Sequence, residues 1–159
     1  MTIPDFHLDG KVAIITGGKR GIGKAISLTF AKAGADVVVC GRTLPELEMV
    51  SEKAKAVGRR SMAFKTDVTI KKEVEELVAQ VVEEFGTIDI LVNNAVVYAG
   101  GTLVDLSEED WDNTVNIGLK GYYLCSQAVA RVMRASARLF SVCLRFWLHK
   151  RWALRGKPL

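Results

Sequence analysis

Proline is scarce in this chain, 3 residues in 159, and charged residues make up only 25% against 49% apolar. Disordered chains invert that balance, and collagen-like chains need glycine at every third position, so both classes are excluded and one soluble globular domain is expected. An uncharged apolar run of about 18 residues is also missing, which argues against a membrane-spanning helix. The first ten residues, with Asp5 and Asp9, lack the basic and apolar regions of a signal peptide, so a cytoplasmic location is expected. Cysteine is limited to Cys40, Cys125 and Cys143, an odd number at wide spacing, which indicates reduced thiols rather than a disulfide framework or a zinc site. His7 and His149 have no acidic or cysteine neighbours at ligand spacing, so no metal site is expected.

The C-terminal part lacks acid altogether. All 18 Asp and Glu residues lie in positions 1–112, whereas positions 113–159 hold 9 of the 22 basic residues. Two unlike pieces are joined in one chain.

What is present from Lys11 onward is an alternation of short β-branched runs with longer amphipathic stretches, which predicts βαβ units and a parallel sheet. Val12–Thr16 reads as the first strand. Residues 21–33 keep Ile22, Ile26, Phe30 and Ala33 on one helical face, and Gly34 stops that helix. Strand 36–40 carries consecutive valines, as a strand covered on both faces does. Helix 44–57, strand 61–66, helix 70–85 and strand 88–92 complete four strands with three right-handed crossovers. Ser107 and Asp110 form a capping-box variant opening a last helix that runs to about Met133. Residues 135–159 then mix arginines with Leu, Phe and Trp and show no strand alternation.

Chemistry concentrates in Thr16-Gly17-Gly18-Lys19-Arg20-Gly21-Ile22-Gly23, placed between the first strand and the first helix. Glycine suits that place because the backbone must turn sharply and come close to a diphosphate, which the free amides and positive dipole of the helix N-terminus then attract. The strand-turn-helix setting makes a ligand-free turn the weaker reading.

With its T-G-x-x-x-G-x-G spacing, Asp67-Val68-Thr69 after the third strand, Asn93-Asn94-Ala95 after the fourth, and Trp111 followed by Leu119-Lys120-Gly121-Tyr122-Tyr123-Leu124, the chain resembles the short-chain dehydrogenase/reductase family over about residues 6–134. It is similar in pattern to 3-oxoacyl-carrier-protein reductases. The resemblance implies a Rossmann-type doubly wound α/β fold, here incomplete with four strands, over residues 1–134. It also implies interconversion of a small carbonyl substrate and its alcohol. Gly17, Lys19, Arg20, Gly21, Ile22 and Gly23 would bind the cofactor, with the glycine loop and the helix N-terminus at its diphosphate, Asp67 and Val68 would hold the adenine, and Asn94 and Ala95 would line the adenosine-side ribose and the nicotinamide path.

Cofactor choice follows from charge. A site for NAD places a carboxylate at the end of the second strand to bond both ribose hydroxyls, and that carboxylate would repel a 2′-phosphate. Gly41 stands there instead, followed by Arg42, and Arg20 precedes the second motif glycine. Two guanidiniums at these positions suit a 2′-phosphate, so NADP(H) is expected over NAD(H).

The catalytic residues of the resemblance are not in the chain. Hydride transfer in the family uses a tyrosine with a lysine four residues later, a serine and an asparagine; a tyrosine near its ordinary pKa of about 10 needs a nearby cation to work at neutral pH. Tyr98, Tyr122 and Tyr123 are followed at that spacing by Thr102, Ser126 and Gln127, and Gly118 occupies the asparagine position, with Asn116 about 200° away around an α-helix. Val96 replaces a glycine expected near the nicotinamide, where its branched side chain would crowd the site. No catalytic residue is therefore assigned.

Reading residues 138–142 one base later permits Val-Ser-Ser followed by Val or Ala, the type of segment the family carries there. On that basis residues 135–159 are expected to be an out-of-frame tail on a C-terminally truncated reductase, and the fourth strand is expected to be an exposed edge in a marginally stable domain. One alternative is a noncatalytic NADP(H)-binding fragment. A second is a basic interfacial tail, with Leu139, Val142, Cys143 and Phe146 as a helical stripe beside Arg138, Arg145, Lys150 and Arg151, binding nucleic acid or an anionic membrane. Random reading frames produce the same mixtures, so neither a nucleic-acid nor a membrane partner is expected. Only one of the helices that follow the fourth strand is present, so a homo-oligomer is not assumed.

Overall fold

The computed structural model describes residues 7–97, 102, 104–135 and 142–144. The elements run β1 (Val12–Thr16), α1 (Gly21–Lys32), β2 (Asp36–Gly41), α2 (Leu44–Lys55), β3 (Ser61–Lys65), α3 (Lys71–Phe85) and β4 (Ile90–Asn93). They continue with α4 (Glu108–Val115), a π-helical segment (Asn116–Lys120), α5 (Gly121–Ala135) and β5 (Val142–Leu144). The sheet is parallel, in the order β3-β2-β1-β4-β5.

The central strands show why the apolar runs are continuous. Successive side chains of a strand point to opposite faces, and here both faces are covered. Val12 and Ile14 of β1, with Val38 and Cys40 of β2, pack with Val74, Leu77 and Val81 of α3 and Leu124, Cys125 and Val129 of α5. Ala13, Ile15, Val37 and Val39 face the other way, onto Ala31 of α1 and Leu47, Val50 and Ala54 of α2. The result is a three-layer sandwich with a separate core on each side of the sheet. Burial pushes the Cys40 thiol well above its ordinary range and the Cys125 thiol up to about 12, so both stay protonated and unreactive, as expected of reduced structural cysteines. The Cys143 side chain lies outside the described part.

Helix ends follow the sequence signals. The Ser107 hydroxyl accepts from the Asp110 backbone amide at 3.0 Å, fixing the start of α4. Gly86 ends α3 at φ +77°, where any side chain would be strained.

Two expectations are corrected. The last helix is not one regular α-helix, because the segment Asn116–Lys120 takes π geometry between α4 and α5. Asn116 is nevertheless exposed, so it does not reach inward in place of Gly118. The second correction concerns the C-terminal part: Val142–Leu144 forms β5, paired in parallel with Leu91–Asn93 of β4. The fourth strand is therefore not an open edge, and the sheet has five strands rather than four. A triplet this short carries no readable period, and it pairs because β4 offers a row of backbone donors and acceptors on that side. It also removes Val142 and Cys143 from the helical stripe considered above; Leu139, Phe146 and the basic residues of that stripe lie outside the described residues.

Candidate functional site at the switch point of the sheet

After β1 the chain builds outward through β2 to β3, then returns to place β4 on the other side of β1. The loops leaving β1 and β4 thus diverge, and a crevice opens above the carboxyl ends of these two strands. A cleft of about 520 Å³ lies there, within the range of small-molecule sites. It gathers Gly17, Lys19, Arg20, Gly21, Ile22, Gly23, Arg42, Asp67, Val68, Asn94 and Ala95 from four separate loops. Gly41, Thr43, Thr66, Val96, Val97 and Ile117 also line it. Gly118 itself is not among the lining residues. Tyr98 lies outside the described residues.

The floor of the cleft is a hydrogen-bonded hub. The Thr16 hydroxyl donates to the Val92 carbonyl at 3.3 Å and accepts from the backbone amides of Asn94 and Ala95 at 2.9 and 3.0 Å. The Asn94 side-chain amide donates back to the carbonyls of Thr16 and Gly17 at 2.9 and 3.2 Å. On the other side, the Gly17 amide donates to the Cys40 carbonyl at 2.8 Å. The glycine loop is thereby tied to β2 and β4 at once. Sequence reading singled out Asn94 but assigned no role to Thr16, whose importance depends on two strands 76 residues apart.

Glycine is required here at two kinds of place. Gly17 and Gly21 have φ of +64° and +53°, which L side chains rarely adopt. Gly23 is required by contact: a Cβ there would stand 2.4 Å from the Gly17 carbonyl oxygen and 2.4 Å from Asn94 Nδ2. The missing side chain lets the first turn of α1 sit directly beneath the loop. No side chain caps that turn, which leaves its first amides open to a partner, as helix N-termini that receive anions are.

At the far end, Thr69 donates to Asp67 Oδ1 through its amide at 2.9 Å and its hydroxyl at 2.7 Å, and the Asp67 amide donates to Glu73 at 2.7 Å. Arg20 and Arg42 stand exposed on the rim and form no ion pair among the described residues. Lys19 donates to Thr43 at 3.1 Å and to Glu46 at 2.6 Å. Among the described residues no group of three or more His, Cys, Asp or Glu is placed to hold a metal ion, and no helix is long and apolar enough to cross a membrane.

The model of the family described as short chain dehydrogenase matches residues 11–140, most of the chain and the whole cleft. The chain belongs to that family. Among curated short-chain dehydrogenases it is 38% identical over 127 residues to the 3-oxoacyl-[acyl-carrier-protein] reductase of Thermotoga maritima, covering 80% of this chain and 52% of that protein. It is 39% identical over 143 residues to a subunit of (2S)-[(R)-hydroxy(phenyl)methyl]succinyl-CoA dehydrogenase from Thauera aromatica, covering 89% and 58%. The chain thus spans about half the length of the curated relatives it matches. A short-chain type dehydrogenase/reductase from Mycobacterium marinum superposes with a TM-score of 0.83 at 34% identity, over 89% of this chain and 58% of that one. A short chain dehydrogenase from Burkholderia cenocepacia, solved in complex with NADP, superposes with a TM-score of 0.75 at 40% identity, over 79% and 52%.

Gly118, expected above to stand where the family has an asparagine, can be tested for strain. A Cβ at Gly118 meets nothing within 4 Å, and its backbone is not in the left-handed region. Gly118→Asn is therefore expected to raise stability by about 0.3–0.5 kcal/mol, the helix-propensity difference, seen as a melting temperature about 1 °C higher. A lowered melting temperature would mean that the π-helical backbone demands glycine at this point.

Proposed function

We propose that this short-chain dehydrogenase chain binds NADP(H) in the switch-point cleft and forms the cofactor half of an oxidoreductase that interconverts a carbonyl and a secondary alcohol. The observation that carries this reading is the pair Arg20 and Arg42 on one rim, with Gly41 where a carboxylate would favour NAD. A 2′-phosphate would lie between the guanidiniums and accept paired, charge-assisted hydrogen bonds. The cradle fits the rest of the molecule: the diphosphate would rest on the amides of the first turn of α1, in the space that a Cβ at Gly23 would fill. Asp67 and Val68 would border the adenine, and Asn94 and Ala95 the path toward the nicotinamide, which supplies the hydride when bound.

These 159 residues contain no Tyr-x-x-x-Lys, and Gly118 has no side chain to join a proton relay. Among the described residues that line the cleft there is no tyrosine to serve as the proton donor that an alkoxide formed by hydride transfer requires. The expected behaviour is binding without turnover.

Calorimetric titration of the full chain tests the reading. NADPH is expected to bind saturably and at least about 10-fold more tightly than NADH. Arg42→Ala is expected to weaken NADPH about 10- to 30-fold, equivalent to the loss of a charged hydrogen bond of about 1.5–2 kcal/mol, while changing NADH binding less than about 3-fold. Equal affinities for the two dinucleotides, or a loss at Arg42 shared equally by both, would overturn it.

A further inference from the structure

The rim holds a third cation and its carboxylate partner, and neither belongs to the pair of arginines on which the cofactor reading rests. Lys19 comes from the glycine loop, Glu46 from the first turn of α2, and Thr43 from the residue preceding α2. The Lys19 ammonium sits 2.6 Å from Glu46 Oε2 and 3.1 Å from Thr43 Oγ1, so one side chain bridges the two segments that carry Arg20 and Arg42. Lys19 and Thr43 line the cleft, and Glu46 is in contact with Lys19 without being part of the lining.

We infer that Glu46 is a specificity-determining residue: it occupies the Lys19 ammonium at the rim of the cleft, and thereby limits how strongly the site prefers dinucleotides bearing a 2′-phosphate. The inference rests on the NADP(H) reading and names the group that tunes it. Its physical basis is competition between two anions for one ammonium. A ribose 2′-phosphate carries between one and two negative charges at neutral pH, as phosphate monoesters do, and would enter beside Lys19. The carboxylate already engages that ammonium at short range, and it adds a like charge to the rim that the incoming phosphate must meet. The Lys19 hydrogen bond holds the Glu46 carboxyl below the ordinary carboxylate range, with Arg20 contributing in the same direction, so the competitor is ionised throughout the neutral range. Both side chains are partly open to solvent, with 29% and 47% of their surface accessible. The competition is therefore modest in size and weakens with salt.

Because Thr43 accepts a second hydrogen bond from Lys19, the ammonium keeps a partner at the rim when the carboxylate is removed. That leaves it within reach of the cleft rather than free in solvent. Neutralising Glu46 should accordingly convert Lys19 into a third cation for the phosphate, and the gain should depend on Lys19 being present.

The test is a double-mutant cycle on the full chain, with NADPH, NADH and 2′-AMP titrated calorimetrically at low and at physiological salt. Glu46→Gln alters one exposed side chain without changing its shape, and circular dichroism verifies that the fold is kept. Glu46→Gln is expected to tighten NADPH and 2′-AMP about 3- to 5-fold at low salt, with less gain at physiological salt, and to leave NADH within about 1.5-fold. In a Lys19→Ala background the same substitution is expected to change NADPH by less than about 1.5-fold. Unchanged or weaker NADPH binding by Glu46→Gln overturns the inference, as does an equal gain with Lys19 removed, which would reduce Glu46 to a diffuse charge. If the unmodified chain binds NADPH with its preference over NADH while the cycle shows no coupling, the inference fails alone. If the unmodified chain binds no NADPH, both readings fail.

Discussion

Gly23→Ala is expected to abolish measurable dinucleotide binding, a loss of at least about 100-fold, and to lower the melting temperature by roughly 2–12 °C. The added carbon would lie 2.4 Å from the Gly17 carbonyl oxygen and 2.4 Å from Asn94 Nδ2, well inside any real contact. The carbonyl belongs to the backbone of the glycine loop, and the Gly17 amide donates to Cys40, so the loop cannot lift without breaking its tie to β2. The Asn94 amide is held by the carbonyls of Thr16 and Gly17 and cannot turn aside without losing both. Overpacking a constrained site costs about 1–3 kcal/mol, occasionally more, and in a domain of this size each kcal/mol moves the melting temperature by about 2–4 °C. Affinity suffers more than stability because any relief, whether lifting the loop or sliding α1, moves the amides that would meet the diphosphate. Calorimetric titration with NADPH and a thermal melt measure the two effects. Gly21→Ala makes a useful contrast, since a Cβ at Gly21 meets nothing within 4 Å and the strain comes only from its φ of +53°. Unimpaired binding by Gly23→Ala would show that the loop is not the rigid cradle described here.

Thr16→Val is expected to destabilise the fold by about 2–5 kcal/mol, measured by chemical denaturation, although valine nearly matches threonine in shape. Thr16 is 1% exposed, and its hydroxyl is the acceptor for the amides of both Asn94 and Ala95. Valine removes the acceptor that these two amides share, and the loss of each hydrogen bond in this largely buried hub costs about 1–3 kcal/mol. Thr16→Ser keeps the hydroxyl and removes one methyl, so it should cost only about 1 kcal/mol. If the two variants were equally destabilised, packing rather than the hydrogen-bonded hub would be what Thr16 contributes. The hub also sets the separation of the β1 and β4 loops, so Thr16→Val should weaken the cleft's hold on a dinucleotide alongside its loss of stability.

The family assignment adds a constraint to these experiments. The chain covers 52–58% of the relatives and solved structures cited above, and two of the solved short-chain oxidoreductases that it matches were determined with NADP. Binding measurements on this chain therefore test the proposed cofactor site directly, without reference to a substrate.

Much of the architecture was legible from local patterns. The valines of β2 and the apolar residues of β1 announce strands covered on both faces, because a parallel sheet in a sandwich has no solvated side to write polar residues on. Ser107 with Asp110, and Gly86 after α3, mark helix ends because caps are satisfied within a few residues of chain. The eleven residues expected to hold the cofactor line one cleft, and the glycines among them were legible because a sharp strand-to-helix turn keeps them at fixed spacing.

Other features depend on partners distant in sequence and left no local trace. The hub at Thr16 joins residues 76 to 79 positions apart, and threonine at the end of a strand is otherwise unremarkable. The Lys19–Glu46 pair spans two loops that meet only because β1 and β2 lie side by side. The π-helical turn at Asn116–Lys120 interrupts what the periodicity presents as one α-helix. β5 shows the limit most clearly: three residues in a segment without strand alternation pair with β4 because the sheet had an open side, and an open side is a property of the assembled sheet. The strand and helix series, the glycine loop and the charges available to meet a phosphate are written in neighbouring residues and could be read from them. Strand order, the position of the cleft at the switch between β1 and β4, and the bonds that hold it open were decided only by tertiary structure, because each is a relation between segments that burial of two apolar faces brings together.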